Sequence, residues 1–476
     1  MDYEFERKFD AKLVLSVLAS ALMTFTGIVV ETSMNVTFPT LMREFHIGTG
    51  LVQWCTTGYL LVLSLIIPSS PFLIRRFRMK HLFVFANLCF ILGTIICMSA
   101  PAFSVMLLGR IIQGIGTGVS LPLMYNIILT QAPYEKTGFL VGIAAMIPGI
   151  GPAIGPFIGG FITLLWGWRM IFAFLLPLLV ISLIFGAICI RQSAKLERIV
   201  MDKQGYLFIA LCFVCLVFAI NQSGNLGWTS PVVILLYFGT FAFLMLFIRR
   251  SKRFSSPLIR LTIFRYKRYT LSLLCVILFA LIALGIGFVL PNYGQICNGL
   301  NTLQAGSLLL PGCAFAAILN PFAGKRYDKN GGAKLIKGTF IFSIIALVLY
   351  SLLLENATFI LLTSIYLIFG VGMGCINGLL VTNGLQGLPD ELYADGNAVF
   401  NTLQQLFCAL GTVIASSIVA AAQAKTPQNM AAGTLTGSRT VFIVFIFLAI
   451  VIYIMIFRAV KHPASHTYLK TDSSGH

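Results

Sequence analysis

The sequence predicts an all-α integral membrane protein of fourteen transmembrane helices, arranged as six, two and six, with both termini in the cytoplasm. Three observations carry this. The 476 residues are 58% hydrophobic and 10% charged, with a mean hydropathy of +0.93, far from a soluble average and without a polar stretch long enough for an aqueous domain. Polar breaks leave fourteen runs of roughly 18–28 apolar residues, each enough to cross about 30 Å of hydrocarbon at 1.5 Å per residue. With the N-terminus inside, the basic residues sort to one side: of 33 Lys and Arg, only Arg43, Arg169, Lys425 and Arg439 fall on the outside and only Arg110 lies deep within a span.

The first run, near 12–39, follows the mixed-charge segment "MDYEFERKFDAK" and is too long for a signal-peptide core, so it is expected to stay as an anchor. Runs near 51–73, 82–100, 102–130, 137–163 and 170–190 complete a six-helix half over 11–190. The polar stretches 191–204 and 249–268 bracket runs near 205–222 and 231–250, so 191–268 reads as linkers and an inserted pair. Runs near 269–291, 303–323, 334–354, 357–381, 397–423 and 439–458 form a second half over 269–460, and 461–476 is a cytoplasmic tail.

The two halves repeat each other at an offset of about 252–256 residues. "PSSPFLIRRFR" (68–78) aligns with "PFAGKRYDKNG" (321–331), Pro39 with Pro291, and "RIIQGIGTG" (110–118) with "YLIFGVGMG" (366–374), so that Gly114, Gly116 and Gly118 meet Gly370, Gly372 and Gly374. Parallel repeats related by an axis along the membrane normal are one architecture of secondary transporters.

Two charges, Glu31 and Arg110, sit deep in these apolar runs. A charge at bilayer depth costs at least about 2.5–3.5 kcal/mol, so it is expected to face a cavity or a partner. Glu31 lies about 12 Å from the outer end of its span and Arg110 about 14 Å from the outer end of its own, which puts them in one layer. Asn35, at i+4 from Glu31, and Gln113, at i+3 from Arg110, extend each polar face. Desolvation favours a neutral carboxyl and a close guanidinium favours the carboxylate, the balance a proton carrier needs. Arg110 does not deprotonate and cannot itself carry the proton. The alternative is a permanent ion pair that only fixes packing. Arg110 aligns with Tyr366, and no acid lies in the span containing Pro291, so proton work falls to the first half.

Four strings resemble the major facilitator superfamily, in particular its fourteen-span drug:proton antiporters, along essentially the whole chain. "ETSMNVTFP" (31–39) resembles the first-helix motif, "GRIIQGIGTG" (109–118) the fourth-helix motif and "WGWRMIF" (166–172) the entry to the sixth helix. "GIGPAIGPFIGG" (149–160) holds the complete fifth-helix antiporter pattern from Gly151 to Gly160. Gly151, Gly155 and Gly159 share a helix face that admits another backbone, with Pro152 and Pro156 bending the helix; Gly160 ends the motif. The cytoplasmic-loop motif is kept only in the second half, as Gly324, Asp328, Lys329 and Gly331, which leaves Asp328 as the acid expected to latch one conformation. The resemblance implies the major facilitator fold, with the first and fourth helices lining a central cavity, so that Glu31 and Arg110 can approach each other. Candidate cavity residues of the second half are Asn292, Tyr293, Asn377, Asn383, Asn401, Gln404 and Gln405, any of which could instead bond a neighbouring helix.

The expected function is proton-coupled export of amphipathic or lipophilic drugs or toxic compounds across the cell membrane. Its partners are then a small molecule, protons and membrane lipids, with the chain monomeric and driven by the proton gradient without a cofactor. A dedicated exporter of a metabolite, lipid or peptide is the alternative, and a non-transporting receptor a more distant one. The net charge of +18 sits in short loops beside the spans, which suits anionic lipid rather than nucleic acid. An enzyme is not expected: His46, His81, His462, His466 and His476 all lie outside the spans, and the sequence has no metal cluster, acid pair or Walker loop. Cys212 and Cys215 form a CxxC without a nearby His or acidic ligand, which reads as packing.

Overall fold

A computed structural model of the chain describes residues 9–193, 196, 201–254, 257–330 and 333–459. Among them there are no strands. Fourteen long helices follow one another: α1 (Ala11–Phe45), α2 (Thr49–Arg76), α3 (Met79–Met98), α4 (Phe103–Gln131), α5 (Tyr134–Trp166), α6 (Arg169–Cys189), α7 (Lys203–Leu226), α8 (Pro231–Arg253), α9 (Lys267–Ile296), α10 (Thr302–Ser307 continuing as Leu310–Asn330), α11 (Ala333–Leu353), α12 (Phe359–Leu385), α13 (Tyr393–Lys425) and α14 (Met430–Ala459). Among the described residues, thirteen are long and apolar enough to cross a bilayer.

Several helices outrun the apolar runs that predict them. α1 continues six residues past Pro39, and α9 five past Pro291. Proline is tolerated inside such helices where neighbouring groups satisfy the freed backbone, and at Pro39 the carbonyl accepts from Arg43 Nε at 3.3 Å. In α2, Pro68 and Pro71 coincide with a 3₁₀ turn over Ile67–Ser69. In α10 a capping box between Asn301 and Gln304 starts the first segment, and Pro311 opens the second.

At the start of α1, Asp10 accepts the Leu13 amide at 2.9 Å and pairs with Arg191 at 2.5 Å. That amide, and then Arg191, hold its carboxyl below the ordinary carboxylate range. The contribution is therefore present above about pH 4 and lost as the pH falls below it. Asp10→Ala should lower thermal stability at neutral pH by about 1 kcal/mol, and this deficit should shrink in acid, read as the difference in unfolding midpoint between pH 7 and pH 3.

The repeated glycines do the same work twice. A Cβ on Gly114 or Gly118 would strike α2 at Tyr59, Val62 or Ile66, and one on Gly116 would strike α3 at Ala86 and Phe90. In the second repeat, Gly370 and Gly374 sit against α10 at Gly312 and Ala316, and Gly372 against α11 at Ser343. Each trio thus lets one helix approach two neighbours at backbone distance.

α7 and α8 form a hairpin tied at its base by Asp202 and Arg250, 2.9 Å apart. Within it Cys215 Sγ lies 3.5 Å from where a Cβ on Gly239 would stand, a packing position. α7 lies along the seam of α2 and α13: Trp54 and Phe218 rings are 4.7 Å apart, Asn221 Nδ2 donates to Gly50 O at 3.4 Å, and Gly224 sits on Ser417. α8 packs on α7 and leaves Leu235 and Phe238 exposed, as a lipid-facing helix would.

On the face opposite the start of α1, the first six helices close against the last six at three places. Gln295 Nε2 donates to Val36 O at 2.8 Å beside the Phe38 and Phe288 rings, 5.8 Å apart. Thr302 Oγ1 donates to Gly160 O at 2.9 Å, and Thr49 Oγ1 to Gln423 Oε1 at 2.7 Å.

Candidate functional site

Glu31 on α1 and Arg110 on α4 are both buried, at 7% and 0% exposure. Arg110 is held on its own side of the site. Its Nε donates to Cys55 O at 2.9 Å, its Nη1 to Gln113 Oε1 at 2.8 Å, and its guanidinium lies 4.2 Å from the Tyr59 ring centre. Gln113 passes the chain on to Thr94 Oγ1 at 2.8 Å, and Tyr59 is fixed by Thr117 Oγ1 at 2.8 Å. The Nη2 group of Arg110 is buried with no protein hydrogen-bond partner, an omission that ordinarily costs about 1–3 kcal/mol and points to a working group.

The permanent ion pair weighed from the sequence is not formed. No salt bridge joins Arg110 to Glu31. One turn on from Glu31, α1 meets α9 of the last six helices, where the Asn35 backbone oxygen faces Asn292 Nδ2 at 3.5 Å. The Asn35 side chain accepts from Thr56 Oγ1 at 2.9 Å.

The Gly151–Gly160 segment packs on two sides at once. Gly151, Gly155 and Gly159 lie on α1 at Ile28, Thr32 and Ser33, the turns beside Glu31, and Ser33 Oγ donates to Gly155 O at 2.6 Å. The other side meets α10: Pro156 abuts Gly306, and Gly160 abuts Thr302. One helix therefore touches both the turns beside Glu31 and the far-face segment of α10.

On the opposite, N-terminal face, the Asp328 side chain and Gly331 lie outside the described residues. Among the described residues, a Cβ on Gly324 would meet nothing within 4 Å. A further acid on this face, outside the loop motif, is Asp395, at the start of α13. Its carboxylate pairs with Arg260 at 3.2 Å, and Arg75, at the end of α2, shares the cleft and acts on the same carboxylate. The first half thus presents a cation where the family pattern has an acid, and the acid stands across the seam. These groups are partly exposed, so the contact contributes under about 1 kcal/mol. Asp395→Asn should raise deuterium uptake modestly over 393–400 and at the end of α2, and the pairing is wrong if uptake is unchanged.

The second-half candidates divide. Tyr293 is buried and donates to Leu354 O at 2.5 Å, and Asn383 accepts from Arg268 and donates to Ser272 Oγ at 2.9 Å. Both are interhelix ties rather than cavity residues. Asn292 is buried on α9 and donates to Phe288 O at 2.6 Å. Asn401 bonds to Asn397 O on its own helix, while Gln404 and Gln405 are half-buried on α13; the Asn377 side chain lies outside the described residues. Sequence reasoning missed Tyr59, against Arg110, and Thr56, against Asn35; the polar run "CTTGY" (55–59) in an apolar span was the available signal for both.

A family model described as Major Facilitator Superfamily matches residues 20–412. The Lincomycin resistance protein LmrB of Listeria monocytogenes is 33% identical over 448 residues, covering 91% of this chain and 94% of that relative. The Riboflavin transporter RibZ of Clostridioides difficile is 25% identical over 398 residues, covering 81% and 84%. In fold, the chain is similar to the crystal structure of a bacterial homolog to human lysosomal transporter Spinster, in an inward-facing and unoccupied conformation, with a TM-score of 0.67, 14% identity and coverage of 95% and 98%. With a family match over most of its length, a relative aligned nearly end to end and the all-helical fold to match, this chain is a multi-pass membrane transporter and belongs to the Major Facilitator Superfamily.

Proposed function

We propose that this protein is a proton-coupled antiporter that exports amphipathic or lipophilic compounds from the cytoplasm, with fourteen spans arranged as six, two and six and both termini cytoplasmic. The observation that carries the reading is the buried Glu31, without an ion pair and one turn from the Asn35–Asn292 contact between the two helix sets, while Arg110 is held by Cys55 O and Gln113. A carboxyl so placed can exchange a proton when the seam opens, whereas a locked ion pair cannot. The relatives named for lincomycin resistance support drugs as cargo. With one acid in the layer, monocations, zwitterions or neutral molecules suit it better than dications. No cofactor is needed, since the proton gradient drives the cycle, and the chain works as a monomer.

A dedicated metabolite exporter is the second reading, favoured by the relative named as a riboflavin transporter. The experiment is substrate-driven proton movement in proteoliposomes containing a pH-sensitive dye. Lincomycin and a panel of lipophilic cations should each move protons in proportion to their own flux. A response to riboflavin alone would favour the second reading, and no response to any compound would sink both.

A further inference from the structure

A cavity of about 540 Å³ opens between α2, α3 and α4 toward their N-terminal-face ends, within the range of about 300–1,000 Å³ typical of small-molecule sites. Its walls are apolar, with Leu73, Leu82, Phe85 and Val119 among them. Ser69, His81 and Tyr206 are the polar exceptions, and the Ser69 hydroxyl already donates to Ile66 O at 2.7 Å. Nor is it an open helix face, because Met201 and Tyr206, at the start of the inserted hairpin, close one side. Along α2 it runs from Ile66 to Phe77, roughly 16 Å at the helical rise. That is the depth of one leaflet, half of a hydrocarbon core of about 30 Å.

The mouth is basic. Phe77 and His81 line it, and Arg76, Arg78 and Lys80 beside them are exposed, as is Lys203, two residues from Met201. The acid in that stretch, Asp202, is buried against Arg250. A slot one leaflet deep under four cations matches an acyl chain with an anionic headgroup, each cation near the surface adding about 1 kcal/mol of attraction. The same cations disfavour a cationic amphiphile. We infer that this groove holds one acyl chain of an anionic glycerophospholipid, with its phosphate on the Arg76, Arg78 and Lys80 cluster and the inserted hairpin as the retaining wall.

The four native tryptophans, Trp54, Trp166, Trp168 and Trp228, stand at or near the far-face ends of their helices, so Tyr206→Trp supplies a reporter in the other leaflet. The full-length variant is placed in phosphatidylcholine vesicles containing phosphatidylglycerol brominated on its acyl chains. Half-maximal quenching should come at a mole fraction at least tenfold lower than with brominated phosphatidylcholine, and Arg78→Glu with Lys80→Glu should erase that preference. Equal quenching by the two lipids, or a preference that survives the charge reversal, overturns the inference. Displacement of the quencher by tetraphenylphosphonium would do so too, by reassigning the groove to cargo. Should the reporter variant not fold, native mass spectrometry of the unaltered protein reads the same choice. It should retain one phosphatidylglycerol in a mixture with tenfold excess phosphatidylcholine, and loss of that selectivity counts against the site.

Discussion

Glu31→Gln should abolish substrate-driven proton movement in proteoliposomes while substrate exchange at equal pH on the two sides persists. The amide keeps the volume and polarity of the side chain but cannot release a proton. Because the Glu31 side chain makes no salt bridge or hydrogen bond to the described residues, the change breaks neither, and thermal stability should hold. Arg110→Ala is the contrasting variant. It removes charge-assisted bonds to Cys55 O and Gln113 Oε1, worth about 1.5–3 kcal/mol each, and so should lower stability as well as transport. The two variants separate a carrier from the frame that positions it. Undiminished coupled flux in Glu31→Gln would falsify the carrier assignment, and a large stability loss in that variant would show a structural role instead.

What the sequence revealed and what it concealed have physical causes. The helices are legible because hydrophobic length is a strong constraint in a bilayer, and the repeat because close helix crossings force glycine at fixed spacing, as at Gly114 and Gly370. The depth of Glu31 and Arg110 follows from counting residues along a helix. Whether they pair does not, since that depends on where Arg110's several donors find acceptors, and Cys55 O is a backbone group that any residue type would supply. The Asp395 contact was hidden for a related reason: it joins residues 135 apart in sequence, its cation Arg260 coming from the linker before α9. Tyr293 and Asn383 looked like cavity residues because a polar side chain in a span has two fates, and only packing tells an interhelix tie from a binding group.

Gly160→Val and Gly306→Val should both shift the protein away from the conformation closed on the far face, whereas Gly155→Val should not. At Gly160 a Cβ would meet the backbone of Thr302, and at Gly306 that of Pro156. Both contacts cross the seam between the two helix sets, so the strain is relieved by opening it. At Gly155 the obstacles are Thr32 and Val29 O, on the helix that carries Glu31 within the same set; opening the seam gives no relief, and the strain must fall on folding itself. Overpacking of this kind costs about 1–3 kcal/mol, which corresponds to roughly 5–150-fold in a conformational equilibrium. Hydrogen exchange over the far-face ends of α1, α5, α9 and α10 reads the first effect, and the thermal midpoint reads the second. Gly160→Val should raise exchange at Val36 and Gln295, where the seam is otherwise bonded, with little loss of midpoint; Gly155→Val should do the reverse. If both variants simply lose stability, the Gly151–Gly160 segment is a static packing face and not the element that links Glu31 to closure. If they divide as stated, one helix face holds α1 in place while the other senses whether the far side is shut, and the proton site and the gate are joined through a single turn of α5.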